Sequence, residues 1–198
     1  MKNLLEQSLD REAAAPQLAA ALARYAGDIA PELLTPLGAR LEGFLRGIPS
    51  ALSAACLYAQ DPVCGRAVAF ALGEVLYYCF DEADLLPERD FGVLGLLDDA
   101  YFAHVFAASL RFLYAHVDVS AAGYRPPDQS DFQLVRALLP AGVPECLDRT
   151  CDNLLRVSAA FFSGRAHGLA AAPEVVPVIR IAEAVKLMGD ATARAGGG

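Results

Sequence analysis

Between Asp81 and Asp99 the chain carries seven acids, Asp81, Glu82, Asp84, Glu88, Asp90, Asp98 and Asp99, against one base, Arg89. They account for most of the net charge of −8 carried by all 198 residues. Converging carboxylates suit a hard cation such as Mg²⁺, Mn²⁺ or Ca²⁺. A metal held by Asp84, Asp98 and Asp99 would activate water. The competing reading is local. Asp84 precedes Leu-Leu-Pro, where its carboxylate can accept turn N–H groups. Asp98 and Asp99 fall in the first turn of a helix after Gly95. Carboxylates there answer unpaired N–H groups and the positive helix end, worth a few tenths to about 1 kcal/mol each. The stretch has no EF-hand spacing. The local reading is preferred and requires no cofactor.

Other residues with chemical potential fare less well. Glu74 interrupts the most apolar helix, and a buried carboxylate there would have a raised pKa. Because isolated buried charge is costly, a surface glutamate, or one paired with Arg66 or Arg111, is the preferred reading. His104 follows Asp98 and Asp99 by six and five residues, whereas ligands on one helix sit three or four apart. It is read as a packed or surface histidine. His116 and His167 fall near helix C-termini, where a cation is favoured. Cys146 and His167 are 21 residues apart on one predicted helix, about 30 Å at 1.5 Å per residue. They cannot form a nucleophile and base there, and Cys151 fails for the same reason. Gly-x-Ser-x-Gly, P-loop and Gly-x-Gly-x-x-Gly patterns are absent. No catalytic residue is assigned.

The elements that must position these groups read as helices throughout, with no period-two run and no Asn-Gly or Asp-Gly hairpin signal. Helices are expected over Leu4–Arg11, Pro16–Tyr25, Glu32–Leu45 (with Pro36 able to move the start) and Ser50–Ala59, the last opened by Pro49. Asp61-Pro62 caps the next, to about Phe80. It is apolar on nearly every face, so a place in the middle of a bundle is expected. After the acidic turn comes Gly95 to about His116, also apolar all round and expected to pack on it. Residues 117–129 read as a loop. Ser130 or Asp131 caps a short helix to Leu139, and Pro144 opens a long one ending near Gly168. Its Glu145–Arg149 and Asp152–Arg156 pairs have favourable i,i+4 order. A last helix is expected from about Pro173 to Ala193, followed by a disordered tail, 196–198.

The turn and its flanks resemble the signature of the YkvA-like family, a bacterial domain of unknown function. The family motif reads roughly Tyr-x-x-Ser-Pro-x-Asp-Leu-Ile-Pro-Asp, a short turn, then Gly-x-x-Asp-Asp. Tyr78 stands at its tyrosine. Asp84, Leu85, Leu86 and Pro87 match Asp-Leu-Ile-Pro with one aliphatic exchange. Gly95, Asp98 and Asp99 match the second half. Asp81 and Glu82 replace Ser-Pro, Glu88 replaces the next aspartate, and the turn is one residue longer and lacks its proline. The resemblance covers about residues 57–115. It implies a helical domain and carries over no catalytic residue.

Hydrophobic residues make up 55% of the chain and charged residues 20%, which fits a folded core. A pI of about 4.8 and scattered Arg residues argue against nucleic acid. The acidity also mismatches anionic lipid. The longest apolar stretch, Ala67 to Phe80, is too short to span a bilayer, which needs about 20 residues. The five cysteines (Cys56, Cys64, Cys79, Cys146, Cys151) form no Cys-x-x-Cys and suit buried thiols in a cytosolic protein. Tyr77, Tyr78, Phe80, Tyr101, Phe102, Phe106, Phe112 and Tyr114 read as core, with a ligand or partner groove as the functional alternative. The expectation is therefore a single all-α domain over 1–195, of seven or eight helices. Its leading function is protein interaction or self-association. A metal-dependent enzyme comes second, and an apolar-ligand or membrane-surface binder third.

Overall fold

The computed structural model describes residues 15–25, 29–81 and 85–163, with only the backbone of Glu88 and Arg89. The helices expected over 4–11 and 173–193, and the tail 196–198, lie outside the described residues. Within them the chain is all-α, with no strand.

Helix α1 (Ala15–Tyr25) buries Leu18 and Leu22, one turn apart. It packs on α2 (Pro31–Arg46), whose inner stripe is Gly38, Leu41, Phe44 and Leu45. Gly38 sets the distance between the two: a Cβ there would lie 2.5 Å from the Ala15 carbonyl oxygen. Pro36 does not move the helix start. Residues 31–33, 35 and 36 are exposed, so water can serve the carbonyl that proline leaves without a donor. Gly47 alone separates α2 from α3 (Ile48–Tyr58). Small residues on α3, among them Ala51, Ala54 and Ala55, allow it to approach its neighbours closely.

The carboxylate of Asp61 accepts from the Val63 and Cys64 N–H groups at 2.8 and 3.0 Å. It closes a turn ahead of the helix and does not cap it as expected: α4 (Gly65–Cys79) begins three residues after Pro62, with Cys64 at its N-cap position. The expectation that α4 lies mid-bundle is only half met. It buries Val68, Ala71, Leu72, Val75 and Tyr78, but Phe70 and Tyr77 stand on an outer stripe, 45% and 54% exposed. A short turn α5 (Glu88–Phe91) and a 3-10 turn (Gly92–Gly95) lead into α6 (Leu96–Leu113).

Helix α6 takes the central place. Phe102 and Phe106 are fully enclosed, each worth roughly 2–3 kcal/mol of apolar burial. The run Gly92–Leu113 is long and apolar enough to cross a membrane by length and composition, yet 67% of its 18-residue apolar window is buried inside the protein. Its apolarity is used by the core. The two helices flanking the acidic turn do touch: the Tyr78 and Phe102 rings meet edge to face at 5.2 Å. Helix α7 (Gln129–Leu138) is capped by Asp128, not by Ser130 or Asp131. The Asp128 carboxylate accepts from the Asp131 N–H and the Ser130 hydroxyl. Both residues are then free to bind Arg40 from α2. Helix α8 (Val143–Phe162) has Pro144 in its first turn.

The Gly38 contact generates a contrast. Gly38→Ala drives a methyl into a backbone carbonyl and should cost about 1–3 kcal/mol. Gly73→Ala, on the same fold but with nothing within 4 Å of its Cβ, should gain up to about 1 kcal/mol from helix propensity. Urea unfolding of both variants checks the opposite signs.

Candidate functional site

The described acids of the 81–99 stretch do not gather at one surface. Asp84 and Glu82 lie outside the described residues. Asp90 is exposed, while Asp98 and Asp99 are buried in the first turn of α6. Asp98 accepts a hydrogen bond of 2.6 Å from the Tyr78 hydroxyl of α4. The positive end of α6 favours both carboxylates. Among the described residues no group of three or more His, Cys, Asp or Glu side chains is placed to hold a metal ion. Most of the described motif positions are enclosed. Tyr78, Leu86, Pro87 and Gly95 are buried and Leu85 is half-buried, so the segment serves to seat the start of α6 against α4.

His104 is fully buried. Its Nε2 lies 2.9 Å from the Phe44 carbonyl oxygen and its Nδ1 lies 3.1 Å from the Tyr124 hydroxyl. A carbonyl only accepts, so Nε2 carries the proton and Nδ1 accepts from Tyr124. The neutral ring is thus fully satisfied. Burial pushes its pKa down to about 4, against the raising effect of the Phe44 carbonyl. The ring also stacks on Tyr124 at 5.7 Å, and Gly47 makes room for it: a Cβ there would lie 2.6 Å from the His104 Cε1. The packed-histidine reading is the one the geometry realises.

One polar cluster was not foreseen. The Tyr101 hydroxyl donates to Asp148 Oδ1 at 2.8 Å and accepts from Arg136. Arg136 also donates to Asp148 Oδ2 and to Glu145 Oε1, both at 2.6 Å. Burial, then Asp148, pushes the Tyr101 pKa up, and the bond to Asp148 raises that of Arg136. The expected Glu145–Arg149 pair is displaced: Arg149 donates to the Glu145 backbone carbonyl instead. In the second expected pair Arg156 bonds Asn153, leaving Asp152 with no hydrogen bond or ion pair among the described residues. The sequence gives no local signal for this cluster, because its members come from α6, α7 and α8.

The remaining candidates resolve plainly. Glu74 is half-buried on the side of α4. His116 lies past the end of α6, 3.6 Å from Asp61, and His167 is outside the described residues. All five cysteines are free thiols. Burial raises the Cys64 pKa to about 11 and the Cys151 pKa to about 12, and raises that of Cys146. None of these three is a nucleophile at neutral pH.

Among the described residues the surface is concave at several points. An apolar hollow of about 200 Å³ lies between Leu22, Tyr25, Phe91 and Leu138. A cleft of about 310 Å³ is lined by Arg40, Gly43, His104 and Arg125. A larger groove, of about 730 Å³, runs between the C-terminal half of α6 and α8, lined by Phe112, Leu113, Leu155 and Ala159 with Asp152 and Arg156 among its polar groups. Phe112 is 86% exposed on it. Near the end of α8, Phe161 and Phe162 are also exposed, and Phe162 meets Phe70 of α4 at 6.3 Å.

No family model matches this chain, and neither a curated protein nor a solved structure matches it at a significant level. The YkvA-like resemblance rests on the motif residues alone.

The His104 environment predicts a pH effect. The folded pKa lies near 4, below the ordinary value of about 6.5. Between the two the unfolded chain binds more protons. Stability from the neutral ring is complete above pH 6.5 and is lost as pH falls towards 4, in total roughly 3 kcal/mol. Urea unfolding at pH 7, 5.5 and 4.5 should show the decline in the wild type and a flatter one in His104→Gln; parallel curves would reject the assignment.

Proposed function

We propose that this chain is a helical protein-interaction module of the bacterial cytoplasm, related to the YkvA-like family. The groove between α6 and α8 is its contact surface. The observation that supports this reading is Phe112. A phenylalanine 86% exposed, beside the half-exposed Leu113 and above a groove of about 730 Å³, serves no purpose in the core. A groove between two helices with an apolar floor and charged edges suits the apolar face of another helix. Its aromatic anchor is of the kind that dominates binding energy. The five free thiols fit a reducing compartment.

Photo-crosslinking tests this. A benzoyl-phenylalanine at position 112 should capture a protein in the cell, and one at Val63, which is exposed but does not line the groove, should not. The captured protein, purified and mixed with the full chain, should bind. Phe112→Ser should weaken that binding at least about tenfold, the scale of a lost aromatic anchor, with an unchanged Tm. Equal capture from both positions would reject the groove as the contact surface.

One observation favours a second reading. Two adjacent carboxylates, Asp98 and Asp99, are buried in one helical turn, and a metal-dependent enzyme would complete that pair with Asp84. Elemental analysis of the gel-filtered wild type beside Asp98→Asn separates the readings. The interaction reading expects no stoichiometric divalent metal in either. Near-stoichiometric metal that is lost in the variant would move the enzyme reading to the front.

A further inference from the structure

We infer that the occupant of the α6–α8 groove is a second copy of this chain, with the two α8 helices antiparallel about a two-fold axis at the level of Leu154. The inference rests on the groove reading above and names its partner. Its carrier is the charge pattern along the outward face of α8. Asp152, Asn153 and Arg156 are exposed there. The i,i+4 spacing of Asp152 and Arg156 would ordinarily close an intrahelical pair, yet Arg156 turns to Asn153 at 2.9 Å and Asp152 keeps no partner among the described residues.

In an isologous contact the same patch must complement itself. In two antiparallel helices with a dyad at 154, residue 152 of one faces residue 156 of the other. Asp152 therefore meets the partner's Arg156, and symmetry makes the pair twice. The same axis brings the partner's Arg149 to the level of Ala159, beside the open Phe112 ring, where a guanidinium can cover an aromatic face. About this axis residues 146–162 of α8 overlap their mates, about 25 Å of contact length. The flanking Phe112 and Leu113 supply the apolar area that a charged helix face lacks.

The geometry dictates a charge-swap experiment on the full chain. Sedimentation is followed from about 1 µM to 1 mM, the range of weak association. The wild type should dimerise. Asp152→Arg sets like charges opposite each other twice, and so does Arg156→Asp; each alone should weaken dimerisation at least about tenfold. The double variant restores both pairs and should dimerise again. Mixing the two single variants should form a heterodimer, because one copy then carries only positive and the other only negative charge at these positions. A monomeric wild type, or single variants that dimerise like the wild type, overturns the inference, as does a mixture that stays monomeric. If the wild type is monomeric while position 112 captures a different protein, the groove reading stands and only the self-pairing falls. If position 112 captures nothing above the control, the groove reading falls with it.

Discussion

Enclosing α6 on nearly every side imposes one constraint on everything else: each polar group on that helix must find its partner inside the protein. An unmatched buried polar group costs roughly 1–3 kcal/mol, a large part of a small domain's net stability. Three polar side chains, Asp98, Tyr101 and His104, follow one another at intervals of three residues. Each is answered from a different direction. Tyr78 of α4 serves Asp98, Asp148 of α8 and Arg136 of α7 serve Tyr101, and the Phe44 carbonyl of α2 with Tyr124 of the 117–128 connection serves His104. Apolar packing brings the surrounding helices together, but it tolerates sliding. These bonds do not, and they fix the rotation and register of α6 against its surroundings.

The same constraint explains what could be read in advance and what could not. Helix type and approximate limits follow from proline, glycine and capping residues, which act over a few positions. Pro31, Pro49 and Pro144 all stand in first turns. The cap of α7 was misplaced by two or three residues because Asp128, Ser130 and Asp131 are all competent caps, and the choice depends on Arg40, some ninety positions away in the chain. Burial of α4 was overestimated for a related reason. An apolar composition does not distinguish an enclosed helix from one that turns an aromatic stripe outward.

The candidate site divides along similar lines. The acidic stretch was conspicuous in the sequence, and its aspartates at 98 and 99 do occupy a helix start, though buried and not at the surface. Spacing alone reads His104 as a packed or surface histidine, and only the fold selects the packed one. The Tyr101, Arg136, Asp148 and Glu145 cluster was invisible, because nothing local marks residues that meet only when three helices assemble. The groove beside Phe112 was anticipated only as an abstract alternative to a core. An exposed aromatic and an enclosed one are the same letter.

The junction at Gly47 has a further consequence. Helices α2 and α3 meet across a single residue, and that residue touches the ring that α6 sends between them. An inserted residue there would rotate α3 by about 100°, turning Ala51 and Ala55 away from the core. The connection from 117 to 128 is held at Val117 and Val119, which pack on the core, and is less restricted beyond them. It is mainly exposed, and Tyr124 is its tie to His104. The chain therefore has a rigid corner and an elastic one. Lengthening of the polypeptide is tolerable in the exposed stretch after Tyr124, whereas at Gly47 it would derail the packing of α3.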